Sequence, residues 1–272
     1  MGFYDVADDD GPFYDSPLTT LNLNREIIYT FGGYDISSDN EGLFGGKKKL
    51  ENVTLGDQVK TLSKRMFAGA GFTSINLNKV ETINDYALTK TAIIALTIPG
   101  YATTIGNNVF EGCTSLTSLT FKPSPSDTPL TIGYYVGSSD DDGPFYDSPL
   151  TTVDLNRELV YTFGTPNEAD EGLFGDKSTL INLTLGEQAK TILPFMFANA
   201  GIQKNTGSSG SNVINMHQYI LKLNYAETIG KNAFMNTGIT HLKVYPSVMM
   251  IDDKAFMGCA SLEEVAIESS NQ

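Results

Sequence analysis

The chain has 272 residues, enough for one large domain or two smaller ones, and its 40% apolar and 18% charged residues suit a packed core rather than disorder. Its 18 Lys and Arg against 32 Asp and Glu leave a net charge of −14, which should repel phosphate backbones, so neither a nucleic-acid partner nor membrane insertion is expected. Two Cys and two His are too few for a zinc cage or a disulfide framework, and no cofactor is expected.

Met1 to Asp5 carries neither the basic flank nor the apolar stretch of a secretory signal. The apolar run Ala92 to Leu96 is far short of a membrane span, so the chain is expected to be soluble as given. Next along the chain, the decapeptide Gly11 to Thr20 (GPFYDSPLTT) recurs letter for letter as Gly143 to Thr152. Glu41 to Gly45 returns as Glu171 to Gly175, and Asn52 to Gly56 as Asn182 to Gly186 with one apolar swap. The offset is 132, then 130, and reaches 146 where Phe110 meets Phe256, which places 16 extra residues near Gln203 to Gln218. Two homologous halves follow, 1–142 and 143–272, read as one continuous domain.

Each half divides again. In Thr104 to Phe121 an aromatic anchor, Phe110, is followed by Leu116, Leu119 and Phe121, and the same frame fits 228–244 and 251–267. The ten anchors are Phe13, Phe44, Phe67, Leu88 and Phe110, then Phe145, Phe174, Phe197, Phe234 and Phe256. Leu119-Thr120-Phe121 alternates as a strand does. One such strand cannot bury its apolar face alone, so successive units must stack, with the Ile105-Gly106 turn and the Phe anchor closing each coil. The apolar stripes are then core, and the expected fold is a strand-rich solenoid of ten coils. It should have one parallel sheet, short turns or 3₁₀ segments, and few regular helices.

The pattern resembles the BspA-type leucine-rich repeat family. The residues that carry the resemblance are Ile105-Gly106, Val109-Phe110, Gly112 to Leu116 and Leu119. Their second-half counterparts are Ile229-Gly230, Ala233-Phe234, Ala255-Phe256 and Gly258 to Leu262, joined by Pro149 to Val153. The resemblance implies a secreted or cell-surface bacterial protein that adheres to an extracellular protein or glycan and is not an enzyme. Acidic loops and the insertion depart from the family's usual pattern, so no ligand carries over.

Stacked strands lie about 4.8 Å apart, so the outward positions form rows across the sheet. One row reads Asn22, Thr54, Asn76, Thr97, Thr120, Asp154, Thr184, Lys222, Lys243, Ala266. Its companion reads Thr20, Asn52, Ser74, Ala95, Ser118, Thr152, Asn182, Ile220, His241, Glu264. Most are small hydroxyls and amides that suit a structural ladder. Only Asp154 and Glu264 are acidic, several coils apart, whereas a glycosidase needs two carboxylates within about 10 Å. Neither His217 nor His241 sits in a catalytic motif. The candidate binding patch is Lys222, Asn224, His241, Lys243 and Tyr245, a basic and aromatic contrast on an acidic chain.

Three other features carry less. The runs Asp8 to Asp10 and Asp140 to Asp142 could hold Ca²⁺ but match no known ligand spacing, so solvated loops are expected. Cys113 and Cys259, five coils apart, should lie about 24 Å from each other as reduced core thiols. The sequons at Asn52 and Asn182 fall inside strand frames and read as chance. Recognition of an extracellular protein or glycan is the leading function, ahead of a structural spacer and, distantly, a carbohydrate-active enzyme. The exposed last coil should be covered by a partner or continue into further repeats.

Overall fold

The computed structural model describes residues 13, 16–27, 42–133, 144–145, 147–161, 172–201 and 220–269. The two acidic loops, His217 and the insertion at 203–218 lie outside these residues. The described residues form seventeen strands, β1–β17 in chain order, all short and all paired in parallel. No helix occurs among the described residues, and the connecting segments are turns rather than 3₁₀ segments.

Nine of the ten coils have a four-residue strand where the sequence shows the Leu-x-Leu frame. These are β1 (Thr20–Leu23), β2 (Asn52–Leu55), β5 (Ala95–Ile98), β7 (Ser118–Phe121), β9 (Thr152–Leu155), β11 (Asn182–Leu185), β13 (Ile220–Leu223), β15 (His241–Val244) and β17 (Glu264–Ile267). Their register reproduces the predicted rows, with Ala95, Ser118, Thr152 and Asn182 in one line and Thr97, Thr120, Asp154 and Thr184 in the next. The third coil forms no strand at Ser74 to Leu77, although Ile75 and Leu77 still turn inward and Ser74 and Asn76 outward.

A second strand ladder corrects the expectation of one sheet. It runs through β3 (Thr61–Leu62), β4 (Thr82–Ile83), β6 (Thr104–Ile105), β8 (Leu130–Ile132) and β10 (Leu159–Tyr161). It resumes in β12 (Thr191–Ile192), β14 (Thr228–Ile229) and β16 (Met250–Ile251). The Ile105-Gly106 step is therefore strand and not only turn. Two residues are too few to show alternation, which is why periodicity alone does not reveal them. At two steps of this ladder a carboxylate accepts from the N–H groups that open the next strand. Glu158 Oε2 accepts from the N–H groups of Lys190 and Thr191 at 3.0 Å each, and Glu26 Oε2 accepts from those of Lys60 and Thr61. Buried N–H groups need such partners, so the same Glu serves at the same step of both halves.

Inside, the anchors form one column. Ring centroids lie 5.3 Å apart from Phe13 to Phe44 and 5.6 Å from Phe44 to Phe67. Beyond Leu88, stacking resumes from Phe110 to Phe145 at 4.9 Å and continues through Phe174, Phe197 and Phe234 to Phe256 at 5.3 to 5.4 Å. The turn before six of the anchors places a residue in the left-handed region, at Arg65, Tyr86, Asn108, Phe195, Asn232 and Lys254. Backbone bonds then run from coil to coil through the turns, as from Phe67 N to Ala87 O and from Phe234 N to Ala255 O.

Candidate functional site

The register sets Ile220 beside His241, which lies beside Glu264, and Lys222 beside Lys243, which lies beside Ala266. Asn224 and Tyr245 follow the ends of β13 and β15. The five candidate residues thus share two neighbouring strands. Their charge differs from the expectation of a basic contrast. Lys243 Nζ lies 2.7 Å from Glu268 Oε1 and 5.5 Å from the Tyr245 ring, and the bond to Glu268 raises the Lys243 pKa above its ordinary value. His241 Nε2 lies 3.7 Å from Glu264 Oε2, and its Nδ1 lies 3.1 Å from Thr240 Oγ1. The acids arrive on β17, which pairs with β15, so a cation on one coil meets a carboxylate on the next. Lys222 is exposed, with no acidic side chain in ion-pair contact among the described residues.

Lys222 and Asn224 also line a feature that the sequence rows do not predict. The long-strand face is continuous from β5 to β11 and again from β13 to β17, but β11 and β13 do not pair. A cleft of about 340 Å³ opens between them, lined by Leu183, Thr184, Leu185, Ile220, Leu221, Lys222 and Asn224. Leu183 and Leu185 are half-buried, whereas their counterparts one coil back, Val153 and Leu155, are buried. Ile220 and nearby Ile181 are about half exposed. The sequence holds one signal for this break, since the 16-residue insertion lies just ahead of β13.

The remaining candidates are ordinary parts of the wall. Cys113 and Cys259 are free thiols that donate to the carbonyls of Leu88 and Phe234, each at 3.2 Å. Burial pushes both thiols up, and only Cys113 is fully enclosed. Asp154 and Glu264 fall in separate ladders. Asn182 of the second sequon donates to Thr152 Oγ1 at 3.4 Å, a contact within the polar ladder.

Comparison with known proteins fits this geometry. A family model described as the BspA type leucine-rich repeat region matches in six copies over residues 37–136 and 227–272, more than half of the chain. The chain belongs to the BspA-type leucine-rich repeat family. The fold of this BspA-type chain is similar to that of a leucine-rich repeat protein from Bacteroides ovatus, with a TM-score of 0.52 and 18% identity, covering 93% of this chain and 64% of that one. A leucine-rich cell surface protein from Faecalibacterium prausnitzii is similar at 16% identity over 95% of this chain and 62% of that one, with a TM-score of 0.36. The pneumococcal vaccine antigen PcpA is similar at 16% identity over 97% of this chain and 74% of that one, with a TM-score of 0.35. A phosphoserine aminotransferase of Buchnera aphidicola is 28% identical over 149 residues, 46% of this chain and 39% of that enzyme. So short a part of that enzyme carries no activity to a BspA-type repeat chain.

Proposed function

We propose that this BspA-type chain is a non-enzymatic, surface-displayed recognition module that holds an extracellular protein or glycan at the break in its strand face. Its cell-surface setting rests on family membership. The observation that supports the binding reading is the cleft between β11 and β13, where apolar side chains and Lys222 meet within about 340 Å³. A rigid stack presents such a surface without ordering cost. Lys222 would then select an acidic group on the ligand, and Asn224 a polar one.

The test is binding of the purified chain to a panel of matrix proteins, mucins and glycans at physiological salt. A Lys222→Ala, Asn224→Ala variant is expected to weaken the hit at least tenfold. A Lys243→Ala, Tyr245→Ala variant is expected to weaken it less, because Lys243 is already paired with Glu268. A hit that survives both variants removes the site from this face. No hit on the panel makes the structural spacer the better reading.

A further inference from the structure

Coil ten, built around Phe256, carries six exposed large apolar side chains: Met249, Met250, Ile251, Met257, Val265 and Ile267. Alternation points Val265 and Ile267 toward the interior, yet they are 51% and 80% exposed. Among the described residues, β17 is bonded on one side only. A bare apolar edge strand is a template for another strand.

The molecule contains the same surface in its covered form. Coil five matches coil ten position for position, with Leu119 and Phe121 standing where coil ten has Val265 and Ile267, and both are 0% exposed. Their cover is coil six. Phe145 stacks on Phe110 at 4.9 Å, and β9 pairs with β7 in parallel. The N–H groups of Thr151 and Thr152 donate to Thr117 O at 2.8 and 3.1 Å, and that of Asn156 to Phe121 O at 3.2 Å.

The piece that supplies this cover exists twice. Gly143 to Thr152, which opens coil six, is identical to Gly11 to Thr20, which opens coil one. Phe13 of coil one is 37% exposed, against 0% for Phe145, and among the described residues β1 is bonded only to β2. Coil one and coil ten therefore carry the two halves of a junction that the chain already makes within itself.

We propose that coil one of a second copy docks on coil ten and repeats the junction between coils five and six from molecule to molecule. In that register Phe13 of the second copy stacks on Phe256 and its Thr20–Leu23 strand pairs with Glu264–Ile267. Its Thr19 and Thr20 N–H groups meet the carbonyl of Glu263, the counterpart of Thr117. The contact is heterologous, pairing coil one with coil ten, so it builds strings rather than closed dimers. Each copy carries a net charge of −14, so added salt screens repulsion and tightens the association.

Sedimentation across a concentration series tests this. The weight-average mass should climb from 29.5 kDa without a plateau. Ile267→Lys and Phe13→Lys should each abolish the climb. Thr20→Pro should weaken it by deleting one N–H aimed at the second copy, its bonds to β2 kept. Equimolar mixing of Ile267→Lys with Phe13→Lys restores one good pair of ends, and should give a species of twice 29.5 kDa that grows no further. Ile94→Lys, at an exposed apolar position away from both ends, should associate like the parent. Circular dichroism reports whether each variant remains folded. A parent that stays at 29.5 kDa into the millimolar range would overturn the proposal. So would association that survives Phe13→Lys, which means a tail-to-tail contact, or association lost in Ile94→Lys, which means general stickiness.

Discussion

Coil five and coil ten share an architecture and differ in their neighbours. Ile105, Phe110, Cys113, Leu116 and Leu119 align with Ile251, Phe256, Cys259, Leu262 and Val265. The first set is wholly buried, while every member of the second is half-buried or exposed. Burial in this molecule belongs to the interface between coils and not to the residue. The hydrophobic stabilisation of a coil is accordingly shared with the coil on each side, as nearest-neighbour coupling in a solenoid requires.

The largest test of that difference is at the anchors. Phe110→Ala removes a ring stacked on Phe145 and opens a cavity between two coils, which should cost about 3–5 kcal/mol. Phe256→Ala removes a ring with one aromatic neighbour, Phe234, and a half-open site, and should cost roughly 1–2 kcal/mol. Urea denaturation of both variants measures the gap. Equal midpoints would mean that the last coil is covered in solution, or that the coils do not couple as their contacts indicate.

Leu119→Ala against Val265→Ala repeats the comparison on the long-strand face. The buried Leu should cost about 2–4 kcal/mol and the exposed Val no more than about 1 kcal/mol. The turn glycines supply the control. Gly112 and Gly258 both sit at positive φ, 66° and 72°, where an L side chain is strained whatever covers the coil. Gly112→Ala and Gly258→Ala should each cost about 1–2 kcal/mol. Backbone strain is local, so this pair should stay equal where the anchor pair separates.

The same distinction between local and neighbour-dependent features explains what the sequence makes legible. The long strands, their register and the column of anchors are visible because each coil repeats them at fixed spacing. Phe13, Phe44, Phe67, Phe110 and their successors align by inspection. The ladder of Thr-Ile pairs is harder to see, since two residues show no period, although Thr82-Ile83, Thr104-Ile105, Thr191-Ile192 and Thr228-Ile229 recur ahead of their anchors. Left-handed turn positions are hidden because Arg65, Tyr86 and Lys254 occupy them as well as Asn. At the candidate site, adjacency of Lys222 and Lys243 follows from the repeat. Pairing of Lys243 with Glu268 depends on side-chain reach, and the cleft depends on a failure of stacking between β11 and β13. Periodicity predicts where coils agree and is silent where one departs.

The smallest effect is the most direct reading of the uncovered end. Cys113 and Cys259 donate to equivalent carbonyls, and each lies beside a threonine hydroxyl, Thr91 at 3.5 Å and Thr237 at 3.3 Å. Burial raises both thiols above their ordinary value, which lowers the reactive thiolate fraction near neutral pH. Enclosure is complete only at Cys113. In native protein, a thiol reagent should therefore modify Cys259 first, with Cys113 reacting only as coils five and six separate. Raising the pH toward the thiol range should speed both, and Cys259 should stay ahead. Protein concentration then adds an independent reading. If coil ten is covered by another copy, Cys259 labelling slows as concentration rises while Cys113 labelling keeps its rate. If both rates are flat, the apolar end stays open to water and the interior junction between coils five and six has no counterpart between molecules.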